Sequence, residues 1–104
     1  MTLNEIQELF LTNSAFPEAH ERQDIRYFGL ALAGEAGEVA DEIKKLIRDD
    51  NYIMTDYRDL QIKKELANLF YYVCRTATEL DISMENLAEL QLKLCEEKRK
   101  ARSA

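Results

Sequence analysis

Two helical stretches carry side chains that could hold a cation. Glu35 and Glu38 lie three residues apart, so they share one helix face, which Glu42 and Lys45 continue. They border the apolar positions Leu32, Val39 and Ile43 rather than opposing them. Two carboxylates pressed toward a core repel each other and lose hydration, so one proton or a cation must compensate. A later stretch repeats the arrangement: Glu65 and Asn68 are three apart, Tyr72 follows at four, and Leu66, Leu69 and Val73 run beside them. If the two helices pack antiparallel, their polar edges converge on a cage of three carboxylates and one amide. Such an oxygen set suits Mg2+, or Mn2+ in its place, with waters left for a phosphate to displace. Surface salt-bridge patterning is the plainer reading of either pair taken alone.

All three glycines, Gly29, Gly34 and Gly37, fall in the first of these stretches. Each costs about 1 kcal/mol relative to alanine in a helix interior. Gly34 and Gly37 flank Glu35, which points either to tight helix packing or to close approach of a ligand or its phosphates. Other chemistries lack their residues. His20 is the only histidine and Pro17 stands three before it, so no Glu-x-x-His di-iron motif exists. No Ser-His-Asp or Cys-His spacing, P-loop or dinucleotide fingerprint is present. His20 reads as an ordinary surface or loop residue, or else as a substrate contact.

The net charge of −6 has the wrong sign for a protein that grips a nucleic-acid polymer, and none is expected as a partner. Phosphates remain accessible to an acidic chain through metal ions. Lys98, Arg99, Lys100 and Arg102 crowd the C-terminal tail. They form either a solvated helix end near the negative dipole pole or a phosphate-facing tail.

These groups must be positioned by helices, because the apolar residues follow a helical period almost throughout. The capping box Thr2-x-x-Glu5 opens a helix of about ten residues with Leu3, Ile6 and Phe10 on one face. It ends near Asn13-Ser14, and a loop runs through Pro17, with a short turn through His20. A long second helix is expected from about Asp24 to Arg48, with Phe28, Leu32, Val39, Ile43 and Leu46 buried. A third runs from about Asp59 to Glu79 on Leu66, Leu69, Val73, Ala77 and Leu80. Ser83 caps a fourth, from Met84 to about Lys100, with Leu87, Leu90 and Leu94 inward. The expected fold is all-α, a four-helix-bundle-like single domain over residues 1–104. Leu30, Phe70, Tyr71 and Leu92 lie off the main stripes, which predicts a homo-oligomer with part of its core shared between chains.

Composition agrees. A 46% hydrophobic and 33% charged chain folds rather than staying disordered, and three Gly with one Pro argue against a many-turned β fold. No run approaches the roughly 20 apolar residues of a membrane span, so no membrane partner is expected. Met1-Thr2-Leu3-Asn4-Glu5 lacks a basic start before an apolar block, so no signal peptide is expected. Cys74 and Cys95 read as buried free thiols of a reducing cytoplasm, with a single disulfide the formal alternative.

The stretch Gly29-Leu-Ala-Leu-Ala-Gly-Glu-Ala-Gly-Glu-Val-Ala-Asp-Glu-Ile-Lys-Lys45, then Lys64-Glu-Leu-Ala-Asn-Leu-Phe-Tyr-Tyr-Val73, resembles MazG-like nucleotide pyrophosphohydrolases of the all-α NTP pyrophosphatase superfamily. The resemblance extends through Glu79-Leu-Asp-Ile-Ser-Met-Glu-Asn-Leu87 and covers roughly residues 25–95. That superfamily's motif is ExxE, a spacer, then ExxD. Glu35-x-x-Glu38 matches the first half and Glu65-x-x-Asn68 the second, except at its last position. The resemblance implies Mg2+-dependent cleavage of a nucleoside triphosphate to the monophosphate and pyrophosphate, in a house-cleaning or nucleotide-pool role. It implies a homodimer or homotetramer with the site near a subunit interface. Glu35, Glu38 and Glu65 would be metal ligands, with Asn68 where the family has Asp, one negative charge short. Glu38 or Glu35 would be the catalytic base. Tyr72 would stack on the base, and Lys45 and Lys98 would hold distal phosphates. The alternative is a non-catalytic oligomeric helical protein that keeps the fold with an impaired metal site.

Overall fold

A computed structural model describes residues 1–12 and 25–103. The expected loop through Pro17, the turn at His20 and the helix start at Asp24 lie outside the described residues. Four helices form: α1 (Leu3–Thr12), α2 (Ile25–Arg48), α3 (Asp56–Glu79) and α4 (Met84–Ser103). There is no strand among the described residues. The all-α architecture is thus as the periodicity predicts.

The helix ends follow from local chemistry. The Glu5 N–H donates to Thr2 Oγ1 at 3.1 Å, and the Thr2 hydroxyl donates to Glu5 Oε1 at 3.1 Å. Helix α3 begins at Asp56, three residues before the expected Asp59. The cause is Thr55, whose backbone is extended and whose side-chain Oγ1 accepts the Arg58 N–H at 3.1 Å. Ser83 caps α4 as expected, its Oγ accepting from Asn86 N–H at 3.1 Å. Helix α4 continues beyond Lys100 to Ser103. Asn51 and Tyr52 both take left-handed backbone, at φ 53° and 63°, and reverse the chain between α2 and α3.

The antiparallel α2–α3 pair is layered at seven-residue intervals. At the loop end the Arg58 guanidinium reaches both Glu42 and Asp50 at 2.6 Å, with all three side chains at least four-fifths buried. Seven residues along each helix, Glu35 faces Glu65. Seven further, the rings of Phe28 and Tyr72 lie 6.4 Å apart between centroids. Each layer is about 10.5 Å from the next, two helical turns.

The small core holds Phe28, Cys74, Ala77 and Met84, with Phe10, Val73, Ile82 and Leu87 packed around the last three. Arg75 is fully buried, its guanidinium 5.2 Å from the Phe28 ring centroid and 4.0 Å from Glu79. Gln7 ties α1 to the α3–α4 turn. Its amide donates to Thr78 Oγ1 at 3.2 Å and Ile82 O at 3.0 Å, and its carbonyl accepts the Met84 N–H at 2.9 Å. Asn4 Oδ1 accepts the neighbouring Glu85 N–H at 3.0 Å.

Several expected inward residues are exposed in the single chain: Ile43, Leu66, Leu80, Leu90 and Leu94. The reason is geometric. One α2–α3 hairpin covers one side of each helix, and α4 is buried against the body only at its start. Cys95 stands on that uncovered stretch and is exposed, not buried as expected, while Cys74 is buried and its thiol is pushed up to about 11 by burial. Both are free, so the disulfide alternative falls.

Removing the Gln7 amide strands the Met84 N–H in a buried site. Gln7→Leu should lower the unfolding free energy by about 1–3 kcal/mol, read by urea denaturation. An unchanged midpoint would mean that α1 is not held through Gln7.

Candidate functional site

The middle layer of the α2–α3 pair is the chemically unusual one. Glu35 is half-buried, and its Oε2 is buried with no hydrogen-bond partner. Burial is the main cause that raises its carboxyl above the ordinary 4.5, followed by the charge of Glu65, a hydrogen bond between the two carboxyls, and the charge of Glu38. Two carboxyls that share a hydrogen bond need a proton between them. Glu38, one turn along, is exposed to solvent.

Beside this pair lies a cavity of about 360 Å³ lined by Phe10, Glu35, Ala67, Asn68, Tyr71 and Tyr72. Asn68 is exposed and Tyr72 half-buried. The Tyr71 and Tyr72 rings meet edge to face at 5.0 Å, and Phe10 meets Tyr71 at 5.2 Å. Burial, then Tyr27, Tyr71 and the Glu35 charge, keep the Tyr72 phenol protonated beyond its ordinary range.

The antiparallel packing therefore brings Glu35, Glu65, Asn68 and Tyr72 into one neighbourhood, with Glu38 at its solvent edge. The expected three-carboxylate cage is assembled only in part: among the described residues, no three His, Cys, Asp or Glu side chains gather as a metal-holding group. The donor set that does meet is two carboxyls and an adjoining amide, one buried oxygen lacking a partner. In kind it fits a hard cation, which such oxygens prefer.

Two expected residues are elsewhere. Lys45, ten residues and about 15 Å along α2 from Glu35, pairs with Asp41 at 3.3 Å and Glu42 at 3.4 Å. Lys98 lines a separate concavity of α4 with Cys95, Arg99, Arg102 and Ser103. Beside Gly34 and Gly37 an added Cβ would meet nothing within 4 Å, so tight packing inside this chain is not their reason. Sequence reasoning missed two contributors. Phe10 looked like any other apolar position of α1, and nothing in periodicity separates a core residue from a cavity wall. Arg58 carried a usable signal, since it sits seven residues before Glu65 as Glu42 sits seven after Glu35.

The raised Glu35 carboxyl has a consequence for stability. The unfolded chain gives up this proton first as pH rises, so folding loses stability from the ordinary carboxylate range up through the raised folded value. In chelator, Glu35→Gln should melt above the wild type at about pH 7.5 and level with it near about pH 4. Thermal melts across that range check this. A variant that melts lower at neutral pH would contradict the like-charge layer.

Among known proteins, the chain is 30% identical over 70 residues to the "Gene 37 protein" of Mycobacterium phage L5, covering 67% of this chain and 61% of that protein. It thus spans about three-fifths of that curated relative. No solved structure gives a significant match. The model of the MazG nucleotide pyrophosphohydrolase domain matches residues 23–102, a stretch that takes in α2, α3 and nearly all of α4. With its carboxylate pair on two antiparallel helices of that stretch, this chain belongs to the MazG nucleotide pyrophosphohydrolase domain family.

Proposed function

We propose that the chain hydrolyses ribo- or deoxyribonucleoside triphosphates to the monophosphate and pyrophosphate, as a cytoplasmic enzyme that clears or balances the nucleotide pool. Membership of the family supports the reaction class. The observation that carries the site is the buried, unpartnered Glu35 oxygen opposite Glu65, beside Asn68 and an aromatic cavity.

Glu35, Glu65 and Asn68, with Glu38 at the edge, would hold Mg2+ or Mn2+. Such an ion supplies charge neutralisation on phosphate oxygens and polarises the phosphorus. The chain's own residues do the rest. Glu38 is the better candidate base, because it faces solvent and can take a proton from an attacking water. Glu35 is the poorer one, because burial and Glu65 favour keeping its proton. The water oxygen bonds to a phosphorus flanking the α–β anhydride as that anhydride bond breaks, which yields the nucleoside monophosphate and pyrophosphate. Tyr72 offers a ring to the base.

Lys45 and Lys98 are remote from Glu35 within one chain, so their proposed hold on distal phosphates calls for a homodimer or homotetramer. The exposure of Leu90, Leu92 and Leu94 on α4 supports such an assembly, since apolar surface of this kind suits a protein contact. No described helix is long and apolar enough to cross a membrane.

One observation favours a second reading, a non-catalytic oligomer that keeps the fold. Asn68 contributes an amide where a carboxylate would complete the set, and no three acidic groups gather among the described residues. Pyrophosphate release from a panel of nucleotides, with and without Mg2+, separates the two. Metal-dependent release is expected, and its absence from every nucleotide would leave the second reading. Glu38→Gln should cut turnover by about 10²–10⁴-fold; full turnover would remove Glu38 from the base role. Asn68→Asp should lower the Mg2+ concentration needed for half-maximal rate. An unaltered Mg2+ curve would take Asn68 out of the ligand set.

A further inference from the structure

Glu35 and Glu65 face each other as two acids, and like charges do not draw two helices into line. The layer beyond them does not fix the alignment either. There the Phe28 and Tyr72 rings meet at 6.4 Å and 46°, an apolar contact that tolerates small shifts. The alignment is imposed from the loop end, by Arg58. Its guanidinium is forked across two segments: Nη1 donates to Glu42 Oε2 on α2, and Nε donates to Asp50 Oδ2 in the loop, both at 2.6 Å. Asp50 is itself tied to its surroundings, its N–H donating to Lys45 O at 3.2 Å and its carbonyl accepting the Ile53 N–H at 2.9 Å. At the other end of the residue, the Arg58 N–H is held by Thr55 Oγ1 at 3.1 Å. The first turn of α3 is thereby locked to the last turns of α2.

The carboxyl layer lies seven residues along each helix from this clamp, about 10.5 Å, too far for Arg58 to touch an ion there. Mg2+ accepts oxygens at about 2.0–2.1 Å in a near-octahedral array. A slip of one residue moves a side chain by about 1.5 Å along its helix axis, which such an array does not absorb. On the reading above that this layer holds a divalent cation, we propose that Arg58 is a positioning residue for it. By clamping Glu42 and Asp50, Arg58 sets the α2–α3 register at which Glu35 and Glu65 share one ion, and so governs the affinity of the site from two turns away. Charge alone makes the opposite demand. A guanidinium two turns off repels a divalent ion, so its removal would tighten binding if the field were all that mattered.

The test uses Mn2+ as the probe, with free Mn2+ counted by electron paramagnetic resonance, independent of turnover. Binding at the carboxyl layer is the part that Glu35→Gln removes in each background, which sets aside any ion taken by Glu42 and Asp50 once Arg58 is gone. The full chain is compared with Arg58→Met, Arg58→Lys and Gln7→Leu, each held below its melting range. Arg58→Met should weaken the Glu35-dependent binding about tenfold. Arg58→Lys, whose single ammonium cannot fork, should fall between it and the wild type. Gln7→Leu, destabilised at a different place, should bind as the wild type does. In chelator, nuclear Overhauser contacts between the Glu35 and Glu65 side chains read the register with no metal present, and Arg58→Met should lose them. Equal or tighter Glu35-dependent binding in folded Arg58→Met overturns the proposal, as does an equal weakening in Gln7→Leu or persistence of the interhelical contacts. If Arg58→Met does not fold, Arg58→Lys is judged by the same comparisons. Where the wild type binds no Mn2+ through Glu35, the cation reading fails, and loss of the interhelical contacts still supports Arg58 as the group that aligns the two glutamates.

Discussion

The Arg58 guanidinium, clamped between Glu42 and Asp50, governs the longitudinal register of the α2–α3 hairpin. Both contacts are 2.6 Å long and nearly closed to solvent. A buried cation that loses its partners is strongly unfavourable, so this end of the hairpin has one stable alignment. Everything farther along follows from helix geometry. Two turns from the clamp, Glu35 falls opposite Glu65; two turns beyond that, Phe28 meets Tyr72. Sliding one helix by a single residue would turn each of these side chains by about 100° and dissolve all three layers.

The clamp and the carboxyl layer are electrostatic opposites. In the first, opposite charges satisfy one another. In the second, two acids share a confined space and leave an oxygen without a partner. A fold assembled only for stability would have little use for the second layer. Its tension is relieved by whatever supplies positive charge there, a proton in acid or a cation otherwise. The strongest contacts thus stand beside the weakest, and the former hold the latter in position.

Helix α1 adds a separate kind of control. It is short, and isolated helices of that length are marginal in water. Gln7 and Asn4 compensate by satisfying backbone groups at the start of α4. The same attachment carries Phe10 to the cavity. One short element therefore caps another helix and walls the site, which couples local order to the shape of the cleft. Beyond its start, α4 runs uncovered with its leucines exposed.

Helices, caps and most boundaries were legible in the residues because they depend on neighbours three or four positions away. Thr2, Ser83 and the apolar period are such signals. So were the carboxylate spacings of Glu35, Glu38, Glu65 and Asn68, and the stretch around them that marks the family. Thr55 was overlooked because its cap lacks the acidic partner of a capping box. Tertiary structure alone decided that Glu35 meets Glu65 while Glu38 faces water, and that Phe10 walls the cleft. It also decided that Leu90, Leu94 and Cys95 stay uncovered. Each of these depends on how far one helix slides along another and on which faces remain without a neighbour. Those are relations between segments distant in the chain, and a repeat of 3.6 residues carries no information about them.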